Sequence, residues 1–315
     1  MQYLKKALII CLSALFTISA PTHAGKYAAE FLNIGIGGRA LAMGGAFVPV
    51  ADDVTALYWN PAGLSRLQQR QVMVMHAERF SGLVKSDVAA FSTPMRSYAL
   101  GLAYFRTGTD DIPYTSKLDL NGRPIIDKYV NDVEQALFLS FAKKSGTKFA
   151  FGVSAKLIRQ NIGEASATGF GLDVGALYQP FEPLSLGITL QDITGTYVFW
   201  ENGHKDVKQP YINLGAAYKK SLPFLRSLLI FSVQDNIKLE GDVLESQVSL
   251  GSWGNSEFKV GAEVRILGSL AFRAGFAGEQ TTAGAGVRVA WLFVDYAFTS
   301  YDLGNAHRVS AMVKF

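Results

Sequence analysis

Phe258-Lys259-Val260-Gly261-Ala262-Glu263-Val264-Arg265-Ile266 places Lys259, Glu263 and Arg265 on one side of an extended chain and Phe258, Val260, Ala262, Val264 and Ile266 on the other. A repeat of two is the pattern of a strand with one apolar face. Leu270, Phe272, Ala274 and Phe276 oppose Arg273 in the same way. At the chain end Val309, Ala311, Val313 and Phe315 oppose Arg308, Ser310 and Lys314. Working outward, about 14 strands are expected, with cores near 71–78, 86–93, 97–106, 132–143, 147–160, 166–179, 184–194, 209–220, 226–237, 256–266, 269–278, 282–290, 292–300 and 307–315.

Alternation fits both a water-soluble sandwich and a membrane barrel, which differ in the face turned to solvent. The rest of the sequence separates them. Lys5-Lys6 precede an apolar run over 7–20, and Thr22-His23-Ala24 ends in a small residue. That is a secretory signal with cleavage expected after Ala24. No later stretch holds about 18 apolar residues in a row, as a spanning helix would need. For an exported apolar chain the remaining membrane solution is a closed barrel, since lipid leaves no unpaired backbone group satisfied. Long connections (107–131, 195–208, 238–255) alternate with short ones (94–96, 144–146, 180–183, 221–225, 267–268). This is the asymmetry of outer-membrane barrels, with both termini on the periplasmic side.

Composition agrees. Hydrophobic residues make up 49% and charged ones 18%, below the roughly 25% charged of soluble domains. The formal charge of +4 falls to +2 once Lys5 and Lys6 are removed, too balanced for a nucleic-acid partner. The single cysteine, Cys11, lies in the signal segment, so the mature chain has no disulfide or thiolate ligand. A Lys or Arg facing lipid at mid-depth costs about 2–4 kcal/mol. Lys259, Glu263, Arg265, Arg273 and Arg288 are therefore expected to face the lumen. Tyr178, Trp291, Tyr296, Phe298 and Tyr301 suit interfacial girdles, and Trp200 and Trp253 fall in outer loops.

Ahead of the strands stands FLNIGIGGRALAMGGAFVPVADDVTALYWNPAGLSRL, residues 31–67. It carries Gly35, Gly37, Gly38, Arg39, Gly44, Gly45, the acid pair Asp52-Asp53 and the turn Asn60-Pro61-Ala62-Gly63. Glycine permits close backbone approach, and Pro61 pushes Asn60 out of the helical region. Such a run can fold in a confined space, and it is expected to plug the barrel. Gly35-Ile36-Gly37-Gly38-Arg39-Ala40 also matches a dinucleotide fingerprint. No βαβ unit follows, however, and Gly44-Gly45 would break the helix that the pyrophosphate needs. Asp52-Asp53 has no matching His or Glu nearby for a metal, and is expected to bond lumen arginines or cap a turn. His76, His204 and His307 have no serine partner and are too dispersed for a metal cluster. No enzyme activity and no cofactor are expected.

FLNIGIGGRALAMGGAF with VADDVTALYWNPAGL, and VDYAFTSYDLGNAHRVSAMVKF at the far end, resemble the PorV/PorQ family, relatives of the FadL outer-membrane transporters. The resemblance implies an all-β fold: a 14-stranded antiparallel transmembrane outer-membrane β-barrel with an N-terminal luminal plug. The expected division is 1–24 signal peptide, 25–69 plug and 70–315 barrel. By resemblance the plug carries acids at Asp52-Asp53 and an Asn-Pro-Ala element at Asn60-Pro61-Ala62. Two functions follow. One is an accessory role in type IX secretion, with secreted cargo held on the outer loops beside a secretion channel. The other is FadL-like passage of small hydrophobic molecules such as fatty acids or hydrocarbons, which requires a continuous apolar pocket beneath the plug and a break in wall pairing, expected in a glycine-rich strand such as Thr168–Gly175. The expected partners are outer-membrane lipid, the barrel assembly machinery, which would read Val309, Ala311, Val313 and Phe315, and either cargo or a hydrophobic molecule. The outer loops are modest for a cargo-holding role.

Overall fold

The structure, a computed structural model, describes residues 29–223, 226–239, 241–242, 247–248, 256–302 and 304–315. The expected signal segment and Trp253 lie outside the described residues. The strands are β1 (Gln71–Arg79), β2 (Val84–Pro94), β3 (Tyr98–Leu118), β4 (Pro124–Ser145), β5 (Phe149–Ile162), β6 (Ala165–Phe181), β7 (Leu184–Gln191), β8 (Thr196–Trp200), β9 (Lys205–Lys208), β10 (Tyr211–Leu222), β11 (Ser227–Lys238), β12 (Gly241–Asp242), β13 (Gln247–Val248), β14 (Ser256–Ile266), β15 (Leu270–Ala277), β16 (Gln280–Val289), β17 (Leu292–Tyr301) and β18 (Gly304–Lys314). All but β8, β9, β12 and β13 form one antiparallel ring of 14. The first and last strands close it, in register from Gln71↔Lys314 to Arg79↔Ala306. Arg70 and Phe315 exchange two backbone hydrogen bonds at 3.1 and 3.0 Å just past that seam.

The two faces of the ring are the reverse of a water-soluble protein. Leu100, Leu102, Leu139, Phe151, Leu157, Ile188, Phe231, Phe272 and Val309 are exposed on the outside. Ser140, Ser154, Lys156, Asn213, Gln234, Glu263, Arg273 and Arg308 are buried on the inside. Only a surround as apolar as lipid lets that outer face stand uncovered. Stacked pairs Tyr98–Phe141 (ring centroids 5.6 Å apart) and Phe149–Tyr178 (4.4 Å) lie on the outside at the terminal end of the ring, where β1 begins and β18 ends. Trp291 is exposed in the turn between β16 and β17 at that same end. Tyr301 does not join a girdle: its hydroxyl accepts a hydrogen bond from Arg308 Nη2 at 3.0 Å.

Connections at the terminal end are short. Between β14 and β15, Leu267 (φ 54°) and Gly268 (φ 69°) both adopt left-handed backbone, the mirror-image turn whose twist suits a tight hairpin. At the opposite end two expected loops are corrected. Residues 107–131 are largely strand, because β3 and β4 run on together to Leu118↔Pro124 with register shifts. Residues 195–208 hold the hairpin β8–β9, and β8 pairs with β6.

Candidate functional site

Residues 29–67 lie among the inward-facing side chains of the ring, almost all buried. Their local structure is four short pieces: a 3-10 turn Glu30–Ile34, a helix Gly38–Ala42, a helix Ala56–Trp59 and a 3-10 turn Pro61–Arg66. None is long enough to be stable by itself, so the wall must satisfy their backbone groups. Gly38 N–H donates to Ser310 Oγ (3.0 Å), Val48 N–H to Gln234 Oε1 (3.0 Å) and Val54 N–H to Gln71 Oε1 (2.9 Å). Thr282, Ser154 and Ser185 hydroxyls donate to the carbonyls of Ala42, Leu57 and Pro49 at 3.0, 2.7 and 2.7 Å. These partners come from β1, β5, β7, β11, β16 and β18, all around the ring.

Arg39 is the electrostatic centre. Its Nε donates to Glu263 Oε2 at 2.8 Å and its Nη1 reaches Asp52 Oδ1 (2.5 Å) and Asp53 Oδ2 (2.9 Å). The guanidinium also lies 5.1 Å from the Phe47 ring centroid. Glu263 is shared with two further wall arginines, Arg265 (2.8 Å) and Arg273 (2.5 Å). Asp52 binds Lys219 on β10 at 2.7 Å, so its wall partner is a lysine rather than the expected arginine. Asp53 accepts from Thr55 N–H at 3.0 Å and so caps a turn. Burial opposes the charge on Asp52, but Arg39 and then Lys219 outweigh it and hold the carboxyl well below the usual carboxylate range.

Asn60 ties the second half of the segment to the wall. Its amide donates to Val48 O (3.0 Å) and to Ala176 O of β6 (3.1 Å), while its side-chain oxygen accepts from Ala62 N–H at 3.2 Å. Pro61 opens the 3-10 turn, where its missing N–H costs nothing.

The wall makes room with glycines, of which only Gly175 lies in a stretch that the sequence singled out as glycine-rich. A Cβ on Gly275 would sit 2.3 Å from Gly44 N, and one on Gly152 would sit 2.3 Å from the Pro61 carbonyl carbon. Gly175, Gly187, Gly261 and Gly284 are as tightly opposed by Asn60, Val48, Met43 and Ala42. The signal was glycine at inward positions of otherwise alternating strands. Gly44, at φ +63°, meets the Phe276 backbone from the other side.

Of the other candidates, Lys259 pairs with Glu257 at 2.9 Å on the inner face. Arg288 stands at the terminal-end mouth, 4.9 Å over the Phe293 ring. Val309, Ala311 and Val313 alternate with buried Arg308, Ser310 and Met312, and Phe315 is exposed. His76 lies 2.7 Å from Asp87, His204 3.0 Å from Asp206 and His307 2.7 Å from the Tyr296 hydroxyl. Among the described residues no group of three or more His, Cys, Asp or Glu could hold a metal. Trp200 Nε1 donates to Asp206 at 2.6 Å, which folds that hairpin on itself.

Within Thr168–Gly175, the glycine-rich stretch where a break in wall pairing is expected, β6 changes partner, and a charged cluster that the sequence did not show lies beside it. β6 pairs with β7 over Val174–Phe181 and with β8 over Ala167–Phe170; between them Ile193 N–H donates to Leu172 O at 2.9 Å and Asp192 N–H to Asp173 Oδ1 at 2.8 Å. Behind this seam Lys156 binds Asp173 (2.7 Å) and Asp192, Lys208 binds Asp192 at 3.0 Å, and all four are buried.

The family model described as Uncharacterised protein family (UPF0164) matches residues 7–107, under half of the chain. No curated protein matches. Solved structures share the fold over nearly the whole length. The Ralstonia pickettii toluene transporter TbuX aligns at TM-score 0.59 and 16% identity, over 89% of this chain and 97% of its own. The CymD monoaromatic hydrocarbon channel gives 0.61 and 12%, over 92% and 98%. A Pseudomonas aeruginosa FadL homologue gives 0.55 and 14%, over 94% and 99%. At these identities the likeness establishes the fold, a FadL-like 14-stranded barrel. It gives no support to the secretion expectation.

Proposed function

We propose that the chain is an outer-membrane channel for small hydrophobic molecules, held closed by residues 29–67 acting as a plug. The observation that carries the reading is whole-length likeness to barrels described as a toluene transporter and a monoaromatic hydrocarbon channel. The change of partner across Gly171–Asp173, bridged by Ile193 N–H to Leu172 O, supplies a candidate route: an apolar molecule can leave through the wall into lipid where that bridge opens, whereas a sugar or ion cannot. The buried Lys156–Asp192 cluster then acts as the latch behind that bridge. In this reading the exported chain loses residues 1–24, enters the outer membrane by its C-terminal strand and performs no catalysis.

The PorV-like secretion reading retains one observation. β3 and β4 project past their neighbours and expose Leu118, Leu120, Ile125, Ile126 and Tyr129, a surface that cargo could meet. Deleting the gene separates the two by measuring uptake of labelled toluene beside the secretome. Reduced uptake with unchanged secretion is the expected result; lost secretion with normal uptake would overturn the channel reading.

A further inference from the structure

At the end of the ring where β1 begins and β18 ends lies a cavity of about 330 Å³, within the roughly 300–1,000 Å³ of small-molecule sites. Its lining holds six basic side chains, Arg39, Arg226, Arg265, Arg273, Arg288 and Lys314, against one acid, Asp295. Arg39, Arg265 and Arg273 are already committed to Glu263, and Arg273 also lies 2.8 Å from Asp295. Among the described residues, no carboxylate lies within ion-pair distance of Arg226, Arg288 or Lys314. Two of these converge on one ring. The Arg288 guanidinium stands 4.9 Å and the Lys314 ammonium 4.6 Å from the Phe293 centroid.

Two cations on one phenyl ring each gain a weak attraction to it and repel each other. A single anion placed between them reverses the sign of the larger interaction. Leu228, Leu270, Phe293 and Met312 line the same cavity and can take an apolar body. We propose that this mouth is a binding site for a small organic anion, its carboxylate between Arg288 and Lys314 and its apolar part on Phe293 and its neighbours. It is an equilibrium site, so it stands or falls separately from conduction through the barrel.

The test is calorimetry on the full chain in a non-ionic detergent, using benzoate and benzyl alcohol, which share a ring and differ in charge. Benzoate is expected to bind at least tenfold more tightly than benzyl alcohol, with affinity falling as salt is raised. Inorganic phosphate, which has the charge without the ring, is expected to bind at least tenfold more weakly than benzoate. The double variant Arg288→Gln/Lys314→Gln should lose at least tenfold in benzoate affinity. Equal binding of benzoate and benzyl alcohol, or no benzoate binding, overturns the site. Phosphate binding as tight as benzoate overturns its assignment to an organic anion, and an assembled double variant with unchanged affinity overturns the residues named. Should that variant not assemble, the comparison of probes on the unaltered chain decides alone.

Discussion

Arg39 is the residue on which the interior turns, since among the described residues it alone joins Asp52 and Asp53 of its own segment to Glu263 of the wall. Arg39→Gln would leave buried Asp53 without a cation, while Asp52 keeps Lys219 and Glu263 keeps Arg265 and Arg273. Stranding buried charge in this way costs about 3–5 kcal/mol, so the variant is expected to bring new channel openings in planar bilayers. Acid tests the same contact. Asp52 is held below the ordinary carboxylate range, so its stabilisation is fully present above its unfolded pKa of about 3.9. That stabilisation disappears only as pH falls through the lower folded value. Channel closure should therefore be unchanged between about pH 8 and pH 4.5; opening at pH 5 would contradict this reading of Asp52. At residue scale the sequence showed half of the clamp. Arg39 and Asp52-Asp53 stand close together in the chain, but Lys219 and Glu263 are brought to them only by closure of the ring, which leaves no local pattern. The wall glycines were equally hidden, because in one sequence a glycine that admits another backbone looks like any weak strand former.

Among the elements, β6 differs from the regular strands around it, changing partner from β7 to β8 across Gly171–Asp173. Lys156→Met would leave Asp173 without a cation and Asp192 with Lys208. Amide exchange over residues 165–175 and 191–196 is expected to accelerate at least tenfold, with exchange in β14–β18 unchanged; uniform exchange throughout would show that the cluster does not latch the seam. Asn60→Ala removes hydrogen bonds to Val48 and Ala176. The cost, about 1–3 kcal/mol for carbonyls left buried, should appear as faster proteolysis within residues 29–67 of the assembled barrel. The strands of the ring were legible because lipid on one side and a polar interior on the other force strict alternation. The upper halves of β3 and β4 were misread as a loop for the same reason. There both faces meet water, Asp110, Asp111, Lys117, Asp127 and Lys128 break up the apolar positions, and the repeat of two vanishes although the ladder continues to Leu118↔Pro124. The hairpin β8–β9 is too short to show a period.

For the molecule as a whole, the outer surface and the interior place opposite demands on one chain. Outward Leu, Phe and Val require lipid, and the inner face supplies hydroxyls, amides and charges that satisfy a segment with almost no regular structure of its own. In the proposed reading a ring of 14 strands so filled offers polar solutes no path, in keeping with a channel for molecules that can enter the wall. The measurement that tests this most directly is planar-bilayer conductance of the chain beside the same chain lacking residues 35–53, each checked for an assembled barrel. The account predicts a closed baseline for the complete chain and at least tenfold larger conductance for the deletion. Equal conductance in both would mean that the segment does not seal the barrel.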